Sequence, residues 1–297
     1  MSLRNGNQSD MIEGYSIEVL PGDLANFADQ LVGIKQPSAV LIPALNGEQL
    51  NDQVEAAAEV RRHGFEPVCH IAARRIASAE QLDRHLSDLV TKARIESLLL
   101  IAGDLAAPVG PFADTTALIE SGLLTGRGLK SVMIAGHPDG HPAVPEPVQM
   151  QALRNKADAL TDIGLSVEIA TQFSFDAEAV LTWIAKVRSI GIDAPIRVGI
   201  AGPANLKTLL RYARICGVNS SAKALAKYGL SIGRLVGSAG PDKFVRRLAD
   251  GVNAGDLGNV SLHIFPFGGF AQTRTWLATA TKSEDMADTR ILKGSLA

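Results

Sequence analysis

The chain has 297 residues, 46% hydrophobic but only 5% aromatic, so aliphatic side chains must build most of its core. Its 29 basic and 31 acidic residues leave a net charge of −2, which gives no electrostatic footprint for nucleic acid or an anionic membrane. Two cysteines make no disulfide framework or metal spacing, no apolar run reaches the ~18 residues of a membrane span, and residues 1–13 lack a signal-peptide core, so a cytoplasmic protein is expected.

Apolar, β-branched runs at 15–20, 39–44, 67–72, 97–102, 131–135, 167–173, 196–201 and 261–265 predict eight strands. Glu18 interrupts the first run between Ile17 and Val19. On an exposed strand face it would be unremarked; in a barrel mouth, burial would favour the protonated form that general-acid work needs. Pro21-Gly22-Asp23 follows, where a dinucleotide-binding sheet would carry its glycine-rich turn, and no G-x-G-x-x-G occurs. Val54, Ala57, Ala58 and Val60 line one face of a helix over 47–63, and Leu82, Leu86, Leu89 and Val90 one over 79–94. His70, near the end of the third run, reads first as a satisfied core histidine. Gly103 lets a ligand approach the backbone after the fourth run, and Asp104 beside it reads equally as a cap or a functional carboxylate.

The fifth run leads into Ala135-Gly136-His137-Pro138-Asp139-Gly140-His141-Pro142. Two imidazoles four residues apart lie on a stiff Pro/Gly turn at a strand end, where α/β proteins bind ligands; alone, the turn could equally be a solvated connector. After the sixth run, Gln172 carries an amide that both donates and accepts, which suits the edge of a heterocycle. The Phe173/Phe175 alternation reads as core on one face and stacking surface on the other. Asp176 can cap a helix faced by Trp183, Ile184, Val187 and Ile190, with Glu178 in its first turn. Gly64, Gly164 and Gly191 stand where helices end left-handed. At least two helices are expected in 216–260, and loosely docked termini at 1–13 and 282–297.

Eight strand–helix repeats argue for one domain over 1–297, an α/β fold of the closed parallel (β/α)8 TIM-barrel type with extra helices before strand eight. An open doubly wound sheet is the alternative. Glu18, His70, Asp104, His141 and Gln172 all fall at carboxyl ends of different strands, the usual place for a barrel active site.

These pieces resemble a known family in its own order. Ser16-Ile17-Glu18-Val19-Leu20-Pro21 resembles an S-x-E-x-x-P strand, His70-Ile71-Ala72-Ala73-Arg74 an H-[LI]-x-x strand end, and Ala102-Gly103-Asp104 an R-G-D. Gly136-His137-Pro138-Asp139-Gly140-His141-Pro142 resembles a G-Y-P-E-G-H-P-E turn and Thr171-Gln172-Phe173-Ser174-Phe175-Asp176 a T-Q-F-F-F-D block. Gly199-Ile200-Ala201-Gly202-Pro203 resembles a G-I-x-P segment. Over almost its full length the chain resembles flavin-dependent bacterial methylenetetrahydrofolate reductase.

The resemblance implies a barrel with FAD in its mouth, a hydride from NADH or NADPH, and a tetrahydrofolate substrate, within one-carbon and methionine metabolism. Glu18 would protonate the folate ring; Asp104 would contact the pterin near the flavin; Gln172 would bind folate and nicotinamide in turn. His70, Gly103, His137 and His141 fall at flavin-contacting positions, and Lys156 at the flavin phosphates; Phe173 and Arg274 join the substrate side. No metal is implied, and neither a nucleic-acid nor a membrane partner; a homo-oligomer stays open. The chain departs from the pattern at Ala102 for arginine, Pro43-Ala44 for Thr-Tyr or Thr-Trp, and His137 for tyrosine. It also lacks the arginine after strand eight, for which Arg274 is the nearest replacement. These departures admit a flavin-free or altered-substrate pterin reductase, or a non-catalytic pterin- or flavin-binding partner of a methyltransferase or demethylase.

Overall fold

The computed structural model describes residues 11–45, 47, 49–218, 225 and 240–280. Eight parallel strands close a barrel in sequence order: β1 (Ser16–Glu18), β2 (Ala39–Ile42), β3 (Pro67–Ala72), β4 (Ser97–Ile101), β5 (Ser131–Gly136), β6 (Ser166–Thr171), β7 (Ile196–Ala201) and β8 (Val260–Phe265). Closure falls on β1, whose Ser16 stands opposite both Ala39 of β2 and His263 of β8. The closed (β/α)8 barrel is the architecture expected; an open sheet is excluded. Four expected strands overshoot, the fourth by a single residue. β1 stops at Glu18, β2 stops before Pro43, which has no N–H for the ladder, and β6 stops at Thr171, where the chain turns over the mouth.

The strands read as continuous apolar runs because both faces are buried. Outward residues such as Ile71, Leu100, Val132 and Ile134 pack under the helices in the main core. Inward residues Ala39, Leu41, Val68, Leu99, Met133 and Ala170 form a separate cluster inside the barrel. Polar side chains fill the N-terminal end of the barrel. Arg197 Nε meets Glu168 at 2.7 Å, its Nη1 reaches Ser38 Oγ and the Gly14 carbonyl, and Ser97 Oγ meets Ser131 Oγ at 2.6 Å. The carboxyl ends of the strands are therefore the face left for a ligand.

Around the barrel run α1 (Phe27–Gln30), α2 (Leu50–Arg62), α3 (Ala79–Ala93), α4 (Thr115–Glu120), α5 (Glu146–Asp162), α6 (Ala177–Ser189), α7 (Leu206–Cys216) and α8 (Asp242–Ala254). The expected apolar faces are the buried ones: Val54, Ala57 and Val60 on α2, and Leu82, Leu86 and Leu89 on α3. Asp176 caps α6 by accepting from Glu178 N at 3.1 Å, and Gly64, Gly164 and Gly191 follow helix ends with positive φ. Of the helices expected in 216–260, α8 is one; the rest of that expectation, the tail from 282 and residues 1–10 lie outside the described residues. Met11 and Ile12, placed in the loose N-terminus by sequence, are buried in the core.

Candidate active site

Glu18 ends β1 with its side chain 17% exposed. Its Oε2 lies 3.9 Å from Nε2 of His70 on β3 and 4.0 Å from Nε2 of His263 on β8. These separations exceed a hydrogen bond, so the carboxyl and two imidazoles stand around a small gap. Ser16 Oγ, whose hydroxyl leans towards the Leu262 carbonyl, meets His263 Nδ1 at 3.0 Å. His70 is a correction to the satisfied core histidine expected: its Nε2 is buried without a hydrogen-bond partner among the described residues, an uncommon condition for a buried polar atom. Burial pushes His70 down to about 4, partly opposed by the Glu18 charge and deepened by His263, so its ring is neutral at pH 7. His263 was not singled out from sequence. Its signal was parity: a polar residue at an inward position of an apolar strand.

An aromatic ladder descends to this group. Tyr212 on α7 stacks on Phe267 at 4.0 Å and 11°, Phe267 on Phe265 at 5.5 Å and 23°, and Phe265 meets the His263 ring edge-on at 4.6 Å. Phe173 packs edge-on against Phe265 and Phe267 from behind. The alternation reading is corrected here: Phe173 and Phe175 are both buried, at 1% and 0% exposure, and neither presents a stacking surface. The end of α7 overhangs the mouth. Burial, and then the charge of Glu18, push the Cys216 thiol up to about 11, and a side chain on Gly217 would touch Pro142 at 3.6 Å.

The other expected residues form separate groups. Arg75 holds Asp104 Oδ1 through Nε at 3.1 Å and Nη2 at 2.5 Å, and this hydrogen bonding keeps the carboxyl below its ordinary range on an exposed rim. Gly103 has φ +89°, and a Cβ there would stand 3.3 Å from Ala72 Cβ. Its loop is tied to the end of β3 by Arg74 N to Ala102 O at 3.0 Å and Val109 N to Arg74 O at 2.9 Å. His137 and His141 meet edge-on at 5.3 Å. Burial pushes His137 down to about 4, helped by the charges of His141 and Lys156; burial also lowers the Lys156 amine, against the pull of Asp114. His141 is exposed and its Nδ1 accepts from Ala143 N at 3.2 Å. Gln172 Oε1 accepts from Phe173 N at 3.0 Å. Arg274 donates to the Val32 carbonyl at 2.8 Å, and no contact among the described residues joins it to the Glu18 group.

The turn that carries His137 and His141 borders a strongly polar groove between α5 and α6. A cavity of about 440 Å³ beneath it is lined by Asp139, Glu146, Asp176 and Glu178, of which Glu146 is paired with Lys186 and Glu178 with Arg247. On the imidazole side His137 is neutral at pH 7, which leaves Lys156 to face two phosphate charges without imidazolium help from His137.

The sequence pattern of the family described as methylenetetrahydrofolate reductase matches residues 44–228, well over half of the chain; Glu18 and His263 lie outside that stretch. The chain is 29% identical over 168 residues to methylenetetrahydrofolate reductase (NADH) 1 of Arabidopsis thaliana. It is 27% identical over 164 residues to a probable methylenetetrahydrofolate reductase (NADH) of Oryza sativa subsp. japonica. Each match covers 50% of this chain and 27% of the relative, so the matched stretch spans about a quarter of those proteins. A Clostridium thermocellum protein described as binding two copies of 5-methyl-5,6,7,8-tetrahydrofolic acid has the same fold, with TM-score 0.64 at 10% identity over 95% of this chain and 99% of that one. The chain belongs to the methylenetetrahydrofolate reductase family.

Proposed function

We propose that the protein reduces 5,10-methylenetetrahydrofolate to 5-methyltetrahydrofolate with hydride from NADH or NADPH, Glu18 supplying the proton. The observation that carries this is the Glu18 carboxyl, largely buried at the barrel mouth between two imidazole nitrogens at 3.9 and 4.0 Å. The methylene bridge is a poor hydride acceptor while both of its C–N bonds are intact. A proton given to one nitrogen breaks that bond and leaves an iminium carbon; hydride from the dihydronicotinamide then adds there, making the methyl group and NAD(P)⁺. Glu18 regains its proton from solvent. His70 and His263 flank the carboxyl on either side without hydrogen-bonding it, and a pure binder has no use for a proton donor there. The half-buried edges of Phe265, Phe267 and Tyr212 offer the flat ring an apolar wall. Gln172 follows the carboxyl end of β6 and Asp104 that of β4, where the amide would meet the heterocycle edge and the carboxylate the pterin.

The family resemblance implies that FAD carries the hydride between the two substrates. The carboxylates under the turn and the neutral His137 favour the second route, in which the nicotinamide passes it directly to the pterin. The test is anaerobic NAD(P)H oxidation coupled to 5-methyltetrahydrofolate, measured on protein whose visible spectrum has been recorded. Methyl product from colourless protein without added FAD supports direct transfer; product only with FAD supports the flavin route. No methyl product under either condition overturns the reductase reading in favour of a binding partner.

A further inference from the structure

A second cavity, of about 280 Å³, opens at the rim beyond β3, between α2, α3 and the loop that carries Asp104. Leu45, Leu50, Ile76, Leu105 and Val109 supply apolar walls, and no aspartate or glutamate is among the described residues that line it. Its polar groups are set with defined polarity. Gln53 gives both amide hydrogens away, to the carbonyls of Ile42 at 3.1 Å and His70 at 3.0 Å. Its Oε1 must therefore accept from His85 Nε2 at 2.9 Å, which puts the imidazole proton on Nε2 and leaves Nδ1 as an acceptor. Burial keeps His85 neutral, at about 4. Gln81 Oε1 takes the Ala77 N–H at 2.7 Å, and its amide nitrogen has no partner among the described residues. Arg75 stands on the wall, its guanidinium held by the exposed carboxylate of Asp104.

The chemistry of these walls selects a class of ligand. Pockets for drug-sized ligands run from about 300 to 1,000 Å³, so this one suits a nucleoside rather than a whole dinucleotide. No carboxylate among the described lining residues offers a match for a cation or for the donor-rich amino edge of a pterin. A glutamine amide is instead the usual partner of the N6/N7 edge of adenine, with apolar side chains against the ring faces. Arg75 adds a phosphate-binding fork, from which an anion can displace the largely solvated Asp104. His70 belongs both to this cavity and to the Glu18 group, so the two lie side by side.

We propose that this cavity is the adenosine subsite of the nicotinamide dinucleotide, with Arg75 taking the adjoining phosphate. The proposal rests on the reductase reading for its ligand, but its test does not. ADP-ribose, which carries the adenosine and both phosphates without a reducible ring, is titrated calorimetrically into the full chain. Val109→Trp fills the cavity from a position 58% exposed, and Gln81→Leu removes the amide; Val148→Trp, 55% exposed on α5, is the control. ADP-ribose should bind the parent protein, weaken tenfold or more in both cavity variants, and bind the control as it binds the parent. Tetrahydrofolate binding should persist in all of them. Parent-like ADP-ribose binding by Val109→Trp and Gln81→Leu, or none by the parent at millimolar probe, overturns the subsite. If the parent reduces folate and the cavity variants bind normally, the subsite falls and the reductase stands. If ADP-ribose binding maps to the cavity but no folate is reduced, the reverse holds.

Discussion

Glu18 meets its two imidazoles only because the barrel closes. His263 is 245 residues away in sequence, and it reaches the carboxyl when β8 pairs with β1. That is why Glu18 was legible as an interrupted strand while His263, a single imidazole in an apolar run, was not. His70 was legible as a position but not as a condition, since an unpartnered Nε2 cannot be read from neighbours in sequence. Arg274 shows the converse: nearness in sequence to the end of β8 suggested a folate contact, yet its guanidinium is held by a carbonyl of the α1–β2 connection. The role of Glu18 is testable at one atom. Glu18→Gln keeps the shape and a hydrogen bond but carries no transferable proton. Formation of 5-methyltetrahydrofolate should fall about 10²–10⁴-fold, the worth of general-acid catalysis. NADH affinity, followed by its fluorescence, should hardly change. An equal loss in both would make Glu18 a positioning residue, and normal turnover would remove it from the mechanism.

At the level of elements, the crossing from β6 into its loop decides how Gln172 is presented. Beyond Thr171 the chain leaves the strand, and both Phe173 and Phe175 turn into the core. Pattern reading could not see this, because the strand end is set by β7. Thr171 Oγ1 accepts from Gly199 N at 2.9 Å, and the backbone of 171–173 folds directly over Gly199. A Cβ at Gly199 would stand 2.5 Å from Thr171 O and 2.7 Å from Phe173 N, both backbone atoms with little room to yield. Gly199→Ala should therefore destabilise the protein by about 1–3 kcal/mol, the ordinary range for overpacking. The midpoint of urea unfolding should drop with its slope unchanged. A midpoint equal to that of the parent would show that the β6 loop can move away, and folate affinity would then report whether Gln172 moves with it.

The whole molecule was legible as a barrel because eight strands buried on both faces leave eight continuous apolar runs, a signal that does not depend on any one side chain. The distribution of its buried histidines was not legible, since burial of a helix or loop position is set by what packs over it. His70 in β3, His85 in α3 and His137 after β5 are each pushed by burial from 6.5 to about 4. Between pH 6.5 and 4 the unfolded chain binds protons at these sites that the folded protein does not. Stability must therefore fall as pH falls through that window, each histidine adding up to about 1.4 kcal/mol per pH unit, and these groups contribute no slope above it. Asp104 acts in the same sense at lower pH, because the stability its Arg75 partner confers is lost as its depressed carboxyl takes up a proton. Urea midpoints at pH 7.5, 6.0, 5.0 and 4.5 should decline, most steeply below pH 6. His85→Gln, which keeps an amide donor for Gln53 but cannot titrate, should make that decline shallower whatever its effect at pH 7.5. A flat profile from pH 7.5 to 4.5 would mean that the three rings reach solvent and take up their protons while the barrel stays folded.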